Sequence, residues 1–174
     1  MEFNKENIIE LADRYPYLTS DVAIEKEVKQ WLKTNRYLNK EMFLRLCCWK
    51  SQRPKRHYIK NEEQKIIEVT RLAFSTNNEK ERIASLLTLY GVSYPVASTI
   101  LHFAFPDKYP IMDFRVIESL GWKKPSYYSF KFWEKYYNKI RELSKQYNLS
   151  IRTIDKALWT YSKENKRNYI LSDG

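Results

Sequence analysis

The stretch "LLTLYGVSYPVASTILHFAFPDKYPIMDF", residues 86–114, carries a single aspartate near its end, Asp113, which stands directly before "RVIESLG" and its leading Phe114. A carboxylate in that place has two uses. It can cap the short helix that follows, a role open to any Asp, Asn, Ser or Thr. It can also stabilise positive charge building on a bound substrate, or orient an attacking water. Earlier in the same stretch Gly91 interrupts an apolar register: Leu86 and Leu89 precede it, and Val92, Ala97, Ile100 and Leu101 follow. Two helices must meet there at a tight turn. Glycine permits φ > 0, Pro95 suits the first turn of the second helix, and Ala97 is small enough for close packing. Amides at the start of that helix, from Gly91, Val92, Ser93 and Tyr94, then point outward with the positive end of the helix dipole. Such a group holds phosphate oxygens without reading sequence.

A second constellation lies in "WKSQRPKRHYIK", residues 49–60. Lys50, Arg53, Lys55 and Arg56 stand beside Trp49 and Tyr58, so backbone charge contacts and a stacking ring could come from one loop. The competing reading is a solvated connection between two helices. His102 falls on the helix after the turn and reads as a packed residue rather than a catalyst. Glu62, Glu63, Glu118 and Glu134 are candidates by type for a second acid, and spacing singles out none of them. No His, Cys and carboxylate cluster has metal-ligand spacing. Cys47 and Cys48, the only two cysteines, are adjacent, which argues against a disulfide scaffold or a four-cysteine cluster and for a reducing, cytoplasmic setting.

The elements that must position these residues are helices. Only 3 Gly and 6 Pro occur in 174 residues, and apolar residues recur at spacings of three and four. About nine helices are expected: "NKENIIELADRY", "VAIEKEVKQWLKT" with Asp21 as its cap, "NKEMFLRLCCWKSQRP" ended by Pro54, "NEEQKIIEVTRLAF", a helix capped by Asn77 or Asn78, the helix after Gly91, "FRVIESLG" closed by Gly121, a long helix within "SYYSFKFWEKYYNKIRELSKQYN", and "SIRTIDKALWTYSKEN" capped by Ser150. The tail "KRNYILSDG" reads as frayed or loosely docked. The run "YYSFKFWEKYY" reads mainly as core. Short loops and the absence of repeats or linkers predict one compact all-α domain over 1–174.

Charge points to a partner class. With 31 Lys and Arg against 21 Asp and Glu the chain carries +10, which suits a polyanion. Aromatic residues reach 16%, with 14 Tyr and 5 Trp, more than a dry core of this size takes. The polar start "MEFNKENIIE" has no apolar region of a secretory signal, and no stretch is long and apolar enough to span a bilayer.

The turn around Gly91 resembles the helix-hairpin-helix motif, with Ser93 in place of the usual second glycine. Residues 80–121 as a whole resemble the helix-hairpin-helix DNA glycosylase superfamily, of the endonuclease III type, in which the hairpin is followed by a loop and a catalytic aspartate that opens the next helix. "YPIMDFRVIESLG" is similar to that segment, with Asp113 at the aspartate and Arg115 and Val116 after it. Pro95, eighteen residues before Asp113, takes the place of the lysine nucleophile found in bifunctional members. Proline has no amine to form a Schiff base. The resemblance therefore implies a DNA-glycosylase-like fold without the iron-sulfur loop and a monofunctional N-glycosylase acting in DNA repair. It implies duplex DNA as partner, nucleoid association within the cytoplasm, and no cofactor beyond a monovalent cation that the hairpin carbonyls could hold. A non-catalytic nucleic-acid-binding module on the same scaffold stays open, as does a helical protein whose basic face meets an acidic protein.

Overall fold

The structure, a computed structural model, describes residues 3–172, with the side chains of Ser20 and of residues 166–172 left aside. Among the described residues it is all helix: α1 (Lys5–Asp13), α2 (Thr19–Thr34), α3 (Lys40–Lys50), α4 (Lys55–Tyr58), α5 (Glu63–Ser75), α6 (Glu79–Leu87), α7 (Tyr94–Ala104), α8 (Phe114–Ser119), α9 (Phe130–Tyr147) and α10 (Ile151–Ser172). None of them is long and apolar enough to cross a membrane. Where the sequence reads as one domain, the chain divides into two compact units, Tyr17–Pro106 and a second made of Met1–Pro16 with Asp107–Gly174.

The middle unit holds α2 to α7 around buried Val28, Leu38, Phe43, Leu46, Ile66, Ile83, Leu86, Ile100 and Leu101. Its helix starts follow ordinary capping chemistry. Asn39 accepts from the Met42 amide at 2.8 Å, and Asn78 accepts from the Lys80 and Glu81 amides at 3.0 Å each. The end of α5 is tied to α6 by buried Arg82, which donates to the Ala73 and Thr76 carbonyls. Asp21 departs from its expected role. It lies inside the first turn of α2, accepting from the Leu18 amide at 3.0 Å, because the helix begins at Thr19, three residues earlier than the sequence suggests.

The other unit packs α1, α8 and α9 on α10. Trp133, Tyr136, Tyr137 and Ile140 of α9 are buried, so the second half of that aromatic run is core, while Tyr127 is exposed and Tyr128, Phe130 and Phe132 are half-buried. Gly121 closes α8 at φ +69°, and the Trp122 amide donates back to the Ile117 carbonyl at 3.1 Å. Asn148, at φ 51°, ends α9. Ser150 caps α10 through the Thr153 amide at 3.0 Å. The backbone of α10 stays helical to Ser172, through most of the segment that reads as a tail, while Asp173 and Gly174 lie outside the described residues.

Candidate functional site

The α6–α7 connection is the tight turn the sequence calls for. Gly91 sits at φ +84°. The Val92 amide donates to the Leu89 carbonyl at 3.1 Å, so it closes the turn and is not offered to a ligand, a correction to the reading of Gly91–Tyr94 as four outward amides. The first rung of α7 runs from the Ala97 amide to the Ser93 carbonyl at 2.8 Å. Ser93 takes extended backbone angles and makes no side-chain cap, and Pro95 lacks an N–H. The amides that precede the α7 ladder are therefore those of Ser93, Tyr94 and Val96.

What braces this turn is the basic segment before it. A Cβ on Gly91 would stand 2.7 Å from Tyr58 Cδ1, 2.9 Å from Cε1 and 3.1 Å from His57 Cβ. The Tyr58 ring is thus seated directly under the glycine, with 0% of its surface exposed and an edge-to-face partner in Phe43 at 6.2 Å. It cannot stack on a base, and that role falls away. Burial raises its phenol pKa, with the neighbouring Cys47 and Cys48 adding to the shift, and its Oη makes no hydrogen bond among the described residues. Asn61 is buried three residues on. It donates to the Tyr58 carbonyl at 3.0 Å and to the Tyr90 carbonyl at 3.0 Å, and its Oδ1 accepts from the Tyr90 amide at 2.8 Å. The same side chain thereby fastens α4 to the turn.

Lys55 and Arg56 are exposed on the four-residue α4 that is fastened to the turn, with exposed Arg53 just before them and half-buried Lys50 at the end of α3. Trp49 is engaged elsewhere: its Nε1 donates to Asp21 Oδ1 at 2.7 Å, and its ring meets Phe103 edge to face at 5.5 Å. A stacking role would require it to leave both. The aromatic ring that does stand out here is Tyr90, 63% exposed, whose backbone Asn61 pins. Its signal in the sequence is its place between Leu89, in the apolar register, and the turn glycine. His102 is buried against Phe103 at 5.9 Å, the packed role expected of it. The Leu89 and Tyr90 carbonyls already accept hydrogen bonds, so a monovalent cation at the turn would share both.

Asp113 belongs to the other unit. It is the N-cap of α8, half-buried, with Oδ1 accepting from the Arg115 amide at 3.0 Å and its carbonyl accepting from the Ile117 amide at 3.1 Å. The segment that presents it is held from beneath. Buried Asp155 accepts from the Ile111 amide at 2.8 Å, buried Tyr136 donates to the Ile111 carbonyl at 2.8 Å, and Tyr109 stacks on Tyr137 at 5.4 Å. Burial pushes the Tyr136 phenol well above its ordinary pKa, with the charges of Asp155 and Asp113 contributing. Burial likewise raises Tyr128, and the Asp113 carboxylate adds to the shift. Of the other carboxylates, Glu118 accepts from Ser162 at 2.8 Å, Glu134 is exposed on α9, and Glu62 and Glu63 belong to the middle unit. Asp155 is the residue that sequence reasoning missed, since nothing local marks a carboxylate 42 residues away as the support of Asp113, while Tyr136 falls in the aromatic run read mainly as core.

No family model, curated protein or solved structure matches this chain. What the geometry offers is a helix start whose turn is fastened to a segment with exposed cations in one unit, and in the other a carboxylate on a supported segment.

Proposed function

We propose that the chain binds duplex DNA through the α6–α7 turn and α4, in the manner of a helix-hairpin-helix motif, and removes a damaged or mismatched base by hydrolysing its N-glycosidic bond. The observation that carries this reading is the join at the turn: Tyr58 under Gly91 and Asn61 on Tyr90 fasten α4, which carries exposed Lys55 and Arg56, to the turn from which the Ser93, Tyr94 and Val96 amides open α7. Amides and a helix dipole, with side-chain cations on the segment joined to them, suit phosphate oxygens. Exposed Tyr90 would lie along the same backbone or wedge where a base has left the stack.

Asp113 is the catalytic carboxylate of this reading. Breaking the glycosidic bond builds positive charge on the sugar, which a carboxylate stabilises while water attacks the anomeric carbon and the base departs. Asp155 and Tyr136 hold the segment that carries it. Pro95 supplies no amine, so the product is an intact abasic strand rather than a cleaved one.

Replacing Lys55 and Arg56 by Gln tests the binding half: the slope of log affinity against log salt should shrink by about 2, at about 0.9 per phosphate contact. An unchanged slope removes the turn and α4 from the interface. The chemical half requires base release by the intact protein and none by Asp113→Asn. A second reading, a binding module without chemistry, is favoured by one observation, that capping α8 is by itself a sufficient reason for an aspartate at 113. Equal behaviour of the two proteins across a panel of altered bases would select it.

A further inference from the structure

Between α8 and α9 the chain runs through "WKKPSYYS", residues 122–129, in the unit that carries Asp113. Two rings of this loop meet one side chain of α9. Trp122 packs on Phe132 edge to face with centroids 6.1 Å apart, and Tyr128 lies tilted against the same ring at 5.8 Å. Lys135 places its ammonium over the Trp122 ring at 4.0 Å, and Ser129 caps α9 through the Phe132 amide at 3.3 Å. The loop is thus pinned at both ends, and residues 123–127 span the gap. Pro125 fixes φ in the middle of that span.

The pinning leaves one ring outside. Tyr127 is 78% exposed, the most of any large apolar side chain among the described residues, and neither its ring nor its hydroxyl has a partner there. Lys123, Lys124 and Lys131 are exposed as well and form no ion pair among the described residues. Opposing charge is small. No acidic residue occurs from Ser119 to Trp133. Asp113 caps α8, Glu118 accepts from Ser162, and Asp155 turns inward to the Ile111 amide. Glu164 of α10 is held by Arg14, and α1, with Glu6, Glu10 and Asp13, packs on α10. On α9 itself Glu142 is paired with Lys139, and exposed Glu134 offsets one lysine.

We infer that this loop holds an unpaired stretch of DNA strand, with a base stacked on Tyr127 and the flanking phosphates met by Lys123, Lys124 and Lys131. The inference rests on the proposal that DNA is the partner and on a surface separate from the α6–α7 turn. A largely exposed ring among cations suits a single strand, because every base has a π-face and the backbone is anionic whatever the sequence. In paired duplex each base face is covered by the next base, so only a base out of the stack can meet the ring. Anchoring both ends of the loop cuts the ordering cost of that contact.

The test titrates the full chain with a mixed-sequence single strand and with the fully paired duplex of the same length. Tyr127→Ala should weaken single-strand binding about 10-fold, Tyr127→Phe should restore it, and duplex affinity should hold in both. Lys123→Gln with Lys124→Gln should shrink the single-strand salt slope by about 1.4, at about 0.7 per phosphate. Single-strand affinity unchanged by Tyr127→Ala, or an equal loss on duplex, overturns the inference. So does an unaltered protein that holds no single strand, and its duplex titration then reports separately on the α6–α7 turn. Reductive methylation of the unaltered protein does not depend on how the variants fold: the single strand should shield Lys123 and Lys124. Equal reactivity with and without the strand overturns the contact.

Discussion

Gly91 is restricted twice, by its φ of +84° and by the Tyr58 ring that fills the space a side chain would take. Gly121 is restricted once, at φ +69°, with open space where a methyl would stand and nothing within 4 Å of it. The two glycines therefore separate the terms. Gly121→Ala should lose about 1–2 kcal/mol from the backbone alone, whereas Gly91→Ala adds overpacking of about 1–3 kcal/mol and should weaken duplex binding as well. Urea unfolding of both variants measures the difference, and equal losses would mean that Tyr58 yields freely. Tyr58→Phe works the other way. Its hydroxyl is buried without a hydrogen bond among the described residues, so removing it should leave stability unchanged or raise it by about 1 kcal/mol. A clear loss in thermal unfolding would show a partner for that oxygen. Both residues are visible in the sequence, yet only Gly91 in its right role. Tyr58 reads there as part of the charged loop around it, and its burial follows from a contact 33 positions along the chain.

At the scale of elements, most helices follow from apolar periodicity and caps, which are local properties, so Asn78, Asp113, Gly121 and Ser150 sit where the sequence puts them. α4 is the exception. "KRHY" has no apolar period and follows a proline, and its one turn is held by Tyr58 and Asn61 through tertiary contacts. The misplacing of Asp21 has a similar origin, since an acidic residue inside the first turn and one at the cap differ only by where the helix starts. The segment before α8 rests on Asp155 and Tyr136, neither legible from spacing. Tyr136→Phe should lose about 1 kcal/mol through its bond to the Ile111 carbonyl. It should also change the alkaline limb of stability. The Tyr136 pKa is raised in the folded protein, so its contribution is complete below the ordinary tyrosine value of 10.0 and is lost as pH rises beyond it. Phenylalanine removes that loss, and chemical unfolding at pH 8 and pH 11 measures it. An identical alkaline decline in both proteins would assign the effect to other groups.

For the whole molecule, the helical class and the +10 charge are plain in the sequence, while the two-unit plan is not. Nothing in composition changes at residues 16–17 or 106–107, and pairing the first helix with the last three requires contacts that no local pattern encodes. The contact of Tyr15 with Trp159 is hidden for the same reason, because the two are 144 positions apart. The proposed function turns on one carboxylate. Asn at 113 can still accept from the Arg115 amide and cap α8, so Asp113→Asn removes the charge and keeps the fold. The deciding measurement is base release from duplexes that each carry one altered or mismatched base, with both proteins, followed by alkali to cut at abasic sites. A catalytic Asp113 predicts strands cut only after alkali and only with the unaltered protein, while the asparagine variant binds duplex as well as before. Release by both proteins, or by neither across the panel, would contradict it.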